Sequence, residues 1–163
     1  MNWHLPSLAL AAICCSAPAC AAEYLTSITG EVYQTAGTPR EIATRAQTCI
    51  SQNLTRGSSD DPLVISSDLD GGVVVARNSI EYGSLPRWKI RSRFTFEARD
   101  GRFRIEQTSL ERENANFLTG VEAWGPIGKW SGSRWQEVTA RFEESARAVA
   151  QCVISAPARR DDW

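Results

Sequence analysis

The stretch FTFEARDGRFRIE, residues 94–106, decides the fold of this chain because it specifies a β-hairpin in a single register. Apolar and polar residues alternate on both sides of Asp100-Gly101, a dipeptide that favours a two-residue hairpin turn. A slip of one residue would move the apolar side chains into water, so the turn and the pattern agree on one pairing. The predicted cross-strand pairs are Ala98 with Phe103, Phe96 with Ile105, Glu97 with Arg104 and Thr95 with Glu106.

One face of this hairpin has an excess of positive charge. Its acidic side chains are Glu97 and Glu106, and its basic side chains are Lys89, Arg91, Arg93, Arg99, Arg102 and Arg104, which gives a net charge of +4. One interpretation is a solvated face with cross-strand Glu–Arg pairs, as antiparallel sheets commonly show. The other is a groove for an anionic partner, namely a polysaccharide, a lipid headgroup or an acidic peptide. The five arginines are therefore candidate binding residues.

Two helices and further strands are predicted around the hairpin. The segment 38–57 begins with a capping box formed by Thr38 and Glu41, which marks the start of a helix. A second capping box, from Ser133 to Gln136, precedes the last predicted helix. The apolar stripe of that helix is Trp135, Val138, Phe142, Val149 and Val153. Runs typical of strands occupy 24–35, 62–67 and 72–82.

The order of these elements predicts an α+β two-layer sandwich. A β-α-β-β-β-β-α order gives a sheet of about five mostly antiparallel strands with two helices on one face. The strand–helix beginning, the hairpin ARDGRFRIE (98–106) and the closing helix resemble a bacterial domain of unknown function described as having a TBP-like (TATA-binding-protein-like) fold. The resemblance covers most of residues 24–154 and implies a secreted or lipoprotein-like protein. It transfers no catalytic residue, and DNA binding does not follow from a shared fold.

The N-terminal residues 1–22 have the character of a secretory signal peptide. Residues 5–19 are apolar or small, and the small residues that follow fit signal-peptidase cleavage near Ala21 or Ala22. We therefore expect a periplasmic or secreted protein. A lipoprotein anchored through Cys20 is the alternative, although the proline two residues before that cysteine fits poorly.

The remainder of the chain has the length of one domain. We expect a single α+β domain over 23–156 and a flexible tail over 157–163. No run after the signal approaches the roughly 20 apolar residues of a transmembrane helix. Cys49 and Cys152 are the cysteines that signal cleavage leaves behind, and both lie on or near apolar stripes of the predicted helices. If those helices lie side by side, a disulfide is expected in an oxidising compartment; two buried thiols are the alternative.

A long connection over 112–132 offers a second candidate surface. It contains Trp124 and Trp130 among several glycines and other apolar residues. A loop of this length is often functional or mobile, and its aromatic side chains would form either an exposed contact patch or a small satellite core. Trp124 and Trp130 are therefore added to the candidate binding residues.

The composition argues against most enzymatic mechanisms. The only histidine is His4, within the signal, so histidine-dependent nucleophilic catalysis and histidine metal ligands are excluded from the mature chain. No cofactor or metal is expected, and the formal net charge of −1 suggests no nucleic-acid partner. We expect a non-enzymatic binding module whose partner is an anionic envelope component or a protein. The alternatives are a structural envelope protein without a ligand and a histidine-independent hydrolase.

Overall fold

The computed structural model describes residues 22–57, 61–83, 87–115 and 122–156. Its elements, in chain order, are β1 (Ser27–Gln34), α1 (Pro39–Asn53), β2 (Val64–Asp68), β3 (Val73–Tyr82), β4 (Trp88–Arg99), β5 (Arg102–Ala115), β6 (Glu122–Pro126) and α2 (Trp135–Ser155). The predicted tail and all but the last residue of the predicted signal lie outside the described residues. No helix within the described ranges is both long and apolar enough to cross a membrane.

One antiparallel sheet contains these strands in the order β1-β5-β4-β3-β2, and β6 pairs with the far end of β5. Both helices cover the same face: α1 packs on β3 and β4, whereas α2 packs on α1, β1 and β3. This arrangement is the predicted α+β two-layer sandwich. The other face of the sheet, which we call the open face, is not covered by either helix of the described residues.

The hairpin that decides the fold has the predicted register, with Ala98 opposite Phe103 and Phe96 opposite Ile105. The strand after the turn is longer than predicted. It continues to Ala115 and is followed by β6, so part of the predicted 112–132 loop is sheet and the sheet has six strands instead of about five. The alternation shifts at Ser109, where φ is 51° and the register with β4 is irregular, so a constant period of two could not reveal this extension.

The start of α1 is as predicted and the start of α2 is not. The Thr38 backbone N–H donates to the Glu41 carboxylate (2.7 Å), and the Glu41 N–H donates to the Thr38 hydroxyl (3.4 Å). The capping box predicted at Ser133 is wrong, because the Ser133 hydroxyl instead donates to the Trp130 carbonyl (2.8 Å). Arg134 occupies the N-cap position of α2 in a left-handed conformation, without a side-chain cap.

A disulfide joins the two helices. Cys49 of α1 and Cys152 of α2 are bonded, with their Cα atoms 5.7 Å apart, which confirms the predicted bridge. It adjoins the larger of two apolar clusters, which contains Phe94, Phe96 and Phe103. The smaller cluster includes Ile127 from the segment after β6, so that part of the predicted loop is core.

A buried polar cluster fixes α2 on the centre of the sheet. The side-chain oxygen of Gln107 accepts hydrogen bonds from the Asn78 amide (2.9 Å) and the Ser92 hydroxyl (2.8 Å). The Gln107 amide donates to the Phe142 carbonyl in α2 (2.7 Å), and Asn78 also donates to Ser145 (2.8 Å). Because buried polar groups are costly unless they are paired, this cluster favours one position of α2 over the sheet.

Candidate functional site

Arginine side chains dominate the open face of the sheet. Arg91, Arg93, Arg99, Arg102 and Arg104 are all exposed there, because the residues next to them in β4 and β5 point into the core. β3 adds Arg77, which is directly opposite Arg93 in the ladder between β3 and β4. Arg77 is not among the predicted binding residues, although the alternation of residues 73–81 in β3 places it on this face.

Arg77 and Arg93 form a pair of like charges. Two equal charges directly opposite each other across an antiparallel ladder destabilise the sheet. The Arg77 guanidinium lies 3.5 Å from the Asp61 carboxylate, a partly exposed pair. No carboxylate of the described residues lies within 4.0 Å of the Arg93 guanidinium. Arg93 is therefore a positive charge that the described part of the chain does not neutralise.

The neighbouring Arg91 is held on two sides. Its Nε lies 2.6 Å from the Glu111 carboxylate, directly opposite in β5. Its guanidinium carbon lies 4.1 Å from the centre of the Trp124 ring, within the range of a cation–π contact. Trp124 reaches this position because β6 pairs with β5 and brings Trp124 beside Glu113. The predicted residues Arg91, Arg93 and Trp124 thus meet at one place.

A cleft of about 460 Å³ lies between these side chains. The basic residues on its wall are Arg77, Lys89, Arg91 and Arg93, and Ser79 and Trp124 also line it. Two carboxylates line it as well, and each is paired with an arginine: Asp61 with Arg77 and Glu111 with Arg91. Lys89 lies 3.7 Å from the Glu113 carboxylate. We call this the arginine cleft. It combines several guanidinium donors, a hydroxyl and an aromatic side chain, a set suited to a carboxylate or phosphate group.

The net positive charge of the open face is smaller than predicted and belongs to a few arginines. Because β5 continues past its predicted end, Glu111 and Glu113 join Glu97 and Glu106 on this face. Four acidic residues against the six predicted basic ones lower the net charge from +4 to +2, and β3 adds Arg77 and Glu81, which cancel. The excess therefore lies with Arg93, Arg99 and Arg102, which have no carboxylate partner among the described residues.

The other predicted site residues lie away from the arginine cleft. Arg99 and Arg102 are directly opposite each other beside the hairpin turn, again without a carboxylate of the described residues within 4.0 Å. Arg104 is bound by Glu97, with its Nε 2.8 Å and its Nη2 2.7 Å from the same carboxylate oxygen. Trp130 is 64% exposed and lies in the turn before α2, outside the wall of the cleft.

Solved structures of other proteins share this architecture. A TBP-like protein from Parabacteroides distasonis matches with a TM-score of 0.62 and 13% identity, over 80% of this chain and 94% of that chain. This chain has a TBP-like fold. A DUF4468 family protein from Bacteroides ovatus matches with a TM-score of 0.54 and 14% identity, over 82% of this chain and 88% of that chain. No protein-family model matches, and neither does any curated protein.

These matches confirm the resemblance found in the sequence, and at such low identity they show the fold alone. The arginine cleft lies on the open face, because both helices of the described residues cover the opposite face of the TBP-like sheet. Function does not follow from the fold, and the chemistry of the open face must carry any functional argument.

Proposed function

We propose that this protein is an exported, non-enzymatic binding module that holds an anionic group in the arginine cleft. The observation that carries the proposal is the opposition of Arg77 and Arg93, in which Arg93 has no carboxylate partner among the described residues. A like-charged pair lowers the stability of the sheet, and a bound anion would reverse that effect by bridging the two guanidinium groups.

The contacts of Arg91 support the same proposal. Glu111 and Trp124 hold its guanidinium in place, so little conformational entropy remains to be lost when a ligand binds beside it. Ser79 lines the same cleft and provides a neutral hydrogen-bonding group. The ligand group that fits is planar or tetrahedral, negatively charged and accessible from solvent.

A structural envelope protein without a ligand is the second candidate. It is favoured by the ion pairs Arg91–Glu111, Arg104–Glu97 and Lys89–Glu113, which neutralise much of the open face internally. The two candidates differ in what they require of Arg93, which takes part in none of these pairs.

The test is an NMR titration of the mature protein with small anions, using galacturonate and glycerol phosphate as probes. The indole N–H signal of Trp124, assigned by its loss in Trp124→Phe, should shift on titration with at least one probe. Arg93→Gln should abolish the shift, and Arg141→Gln on α2 should not, since it removes the same charge from outside the cleft. Absence of any shift with both probes would favour the structural candidate.

Export is tested separately, by the mass and N-terminal sequence of protein secreted by a host that processes its signal. The mature chain should begin at Ala22 or Glu23. A mature chain that still contains residues 1–21, or that carries a lipid on Cys20, would contradict the expected processing.

A further inference from the structure

Two pairs of opposed arginines lie on the open face, one at the middle of β4 and one at its C-terminal end. The first is Arg77 with Arg93 in the arginine cleft, and the second is Arg99 with Arg102 beside the hairpin turn. Arg93, Arg99 and Arg102 are exposed, and none has a carboxylate of the described residues within 4.0 Å. The same unfavourable arrangement thus occurs twice on one surface.

The spacing of the two pairs defines the size of a ligand that would contact both. Arg93 and Arg99 belong to one strand, and at the usual rise of a strand their Cα atoms are about 20 Å apart. The β4 side chains between them on this face are Thr95 and Glu97, and Glu97 is already bound by Arg104. Glu106 of β5 lies opposite Thr95, so it is the carboxylate that a polymer passes between the two pairs. A small anion reaches one pair only, whereas an extended polymer can reach both.

We propose that the natural ligand is a linear polysaccharide with repeated carboxylate groups, lying along β4 and bridging the Arg77–Arg93 and Arg99–Arg102 pairs. This inference rests on the proposed function and extends it from a single anionic group to a polymer. Each arginine pair binds one carboxylate or two adjacent ones, and the neutral Thr95 faces the chain of the polymer between them.

The sheet itself argues for a polysaccharide over an extended acidic peptide. Extended peptides commonly bind by adding a strand to a free sheet edge. β4 is paired on both sides, with β3 and β5, so its backbone has no free hydrogen-bonding edge to offer along the line between the arginine pairs. Recognition along β4 must therefore use side chains, and a regular series of carboxylates matches the two guanidinium pairs.

The test measures the affinity of the mature protein for galacturonate oligomers of increasing length, by calorimetry at low salt. We expect the affinity to rise until the oligomer spans about 20 Å and then to level off, with a total gain of at least roughly 100-fold over the monomer. Arg99→Gln/Arg102→Gln should leave monomer binding at the arginine cleft unchanged, as followed by the Trp124 indole signal, and should lose the gain in affinity with length. Arg93→Gln should weaken binding of every oligomer, and Arg141→Gln of none.

Several results would overturn the inference while leaving the proposed function intact. The first is equal affinity for the monomer and the long oligomers. The second is binding of the long oligomers that is unchanged in Arg99→Gln/Arg102→Gln. The third is preferential binding to vesicles containing anionic phospholipid or to a poly-glutamate peptide. Failure of the monomer, the oligomers and glycerol phosphate to bind would overturn both the inference and the proposed function. Melting curves of each variant would confirm that the proteins compared are folded.

Discussion

Arg77 and Arg93 are directly opposite each other in the ladder between β3 and β4, and of the two only Arg77 has a carboxylate partner among the described residues. Such an arrangement costs stability in the free protein. It is therefore unlike the adjacent Arg91–Glu111 pair, in which opposite charges face each other at 2.6 Å. Within one surface, Arg91 therefore stabilises the sheet through its ion pair with Glu111, whereas Arg93 is available to a ligand.

The first prediction concerns the stability of Arg93→Gln. Removing one of two opposed charges should raise the free energy of unfolding by about 0.2–1 kcal/mol, since like charges directly opposite are destabilising. The gain should shrink in high salt, which screens exposed charges. Chemical denaturation at low and high salt measures both effects.

The matched comparison for Arg93→Gln is Arg104→Gln, which breaks the pair with Glu97. This second change should lower the free energy of unfolding by about 0.2–1 kcal/mol, the usual value of an exposed ion pair. If Arg93→Gln destabilised the protein as Arg104→Gln does, Arg93 would be holding the sheet and the proposed role of the cleft would fail.

The second prediction concerns the disulfide between α1 and α2. The bridge spans a sequence separation of 103 residues, so it strongly restricts the unfolded chain. Cys49→Ala/Cys152→Ala should lower the free energy of unfolding by about 2–5 kcal/mol. Thermal melting with and without reductant provides the control, because reductant should destabilise the wild type and leave the double variant unchanged.

The third prediction concerns Gln107, which is 1% exposed and connects β5 to β3, β4 and α2. Gln107→Leu keeps the approximate volume but leaves the Ser92 hydroxyl without its acceptor, so the free energy of unfolding should fall by about 1–3 kcal/mol. In a double-mutant cycle, adding Ser92→Ala should cost less in the Gln107→Leu background than in the wild type. Strict additivity would show that the two groups act independently.

The fourth prediction concerns the pH dependence of stability through Glu41. The hydrogen bond from the Thr38 backbone N–H, together with that from the Thr38 hydroxyl, lowers the pKa of the Glu41 carboxyl below its ordinary value of 4.5. A lowered folded-state pKa means that the stabilisation is present above the unfolded-state pKa. It is lost as the pH falls through the folded-state pKa.

Chemical denaturation across the acidic range should therefore show a steeper loss of stability for the wild type than for Glu41→Gln. Thr38→Ala should give an intermediate slope, because it removes the hydroxyl donor and keeps the backbone donor. Identical slopes for the wild type and Glu41→Gln would show that the capping box does not contribute to the acid sensitivity.

The sequence by itself determined the features that depend on local chemistry. Asp100-Gly101 and the alternation around it fixed the hairpin register, because a slip would expose Phe96. Thr38 and Glu41 fixed the start of α1, because both capping partners lie within one turn. The positions of Cys49 and Cys152 on or near apolar stripes predicted their bond on the condition that the two helices lie side by side, which the structure confirms.

The Arg104–Glu97 pair follows from the hairpin register, but only the tertiary structure decided which of the other arginines are neutralised. The irregular register at Ser109 shifts the phase of β5, and this shift places Glu111 opposite Arg91 and brings Trp124 to the cleft through β6. The partner of an arginine depends on which strand lies beside it, and that pairing joins residues distant in sequence. The opposition of Arg77 and Arg93, on which the proposed function rests, is decided in the same way, by the alignment of β3 with β4.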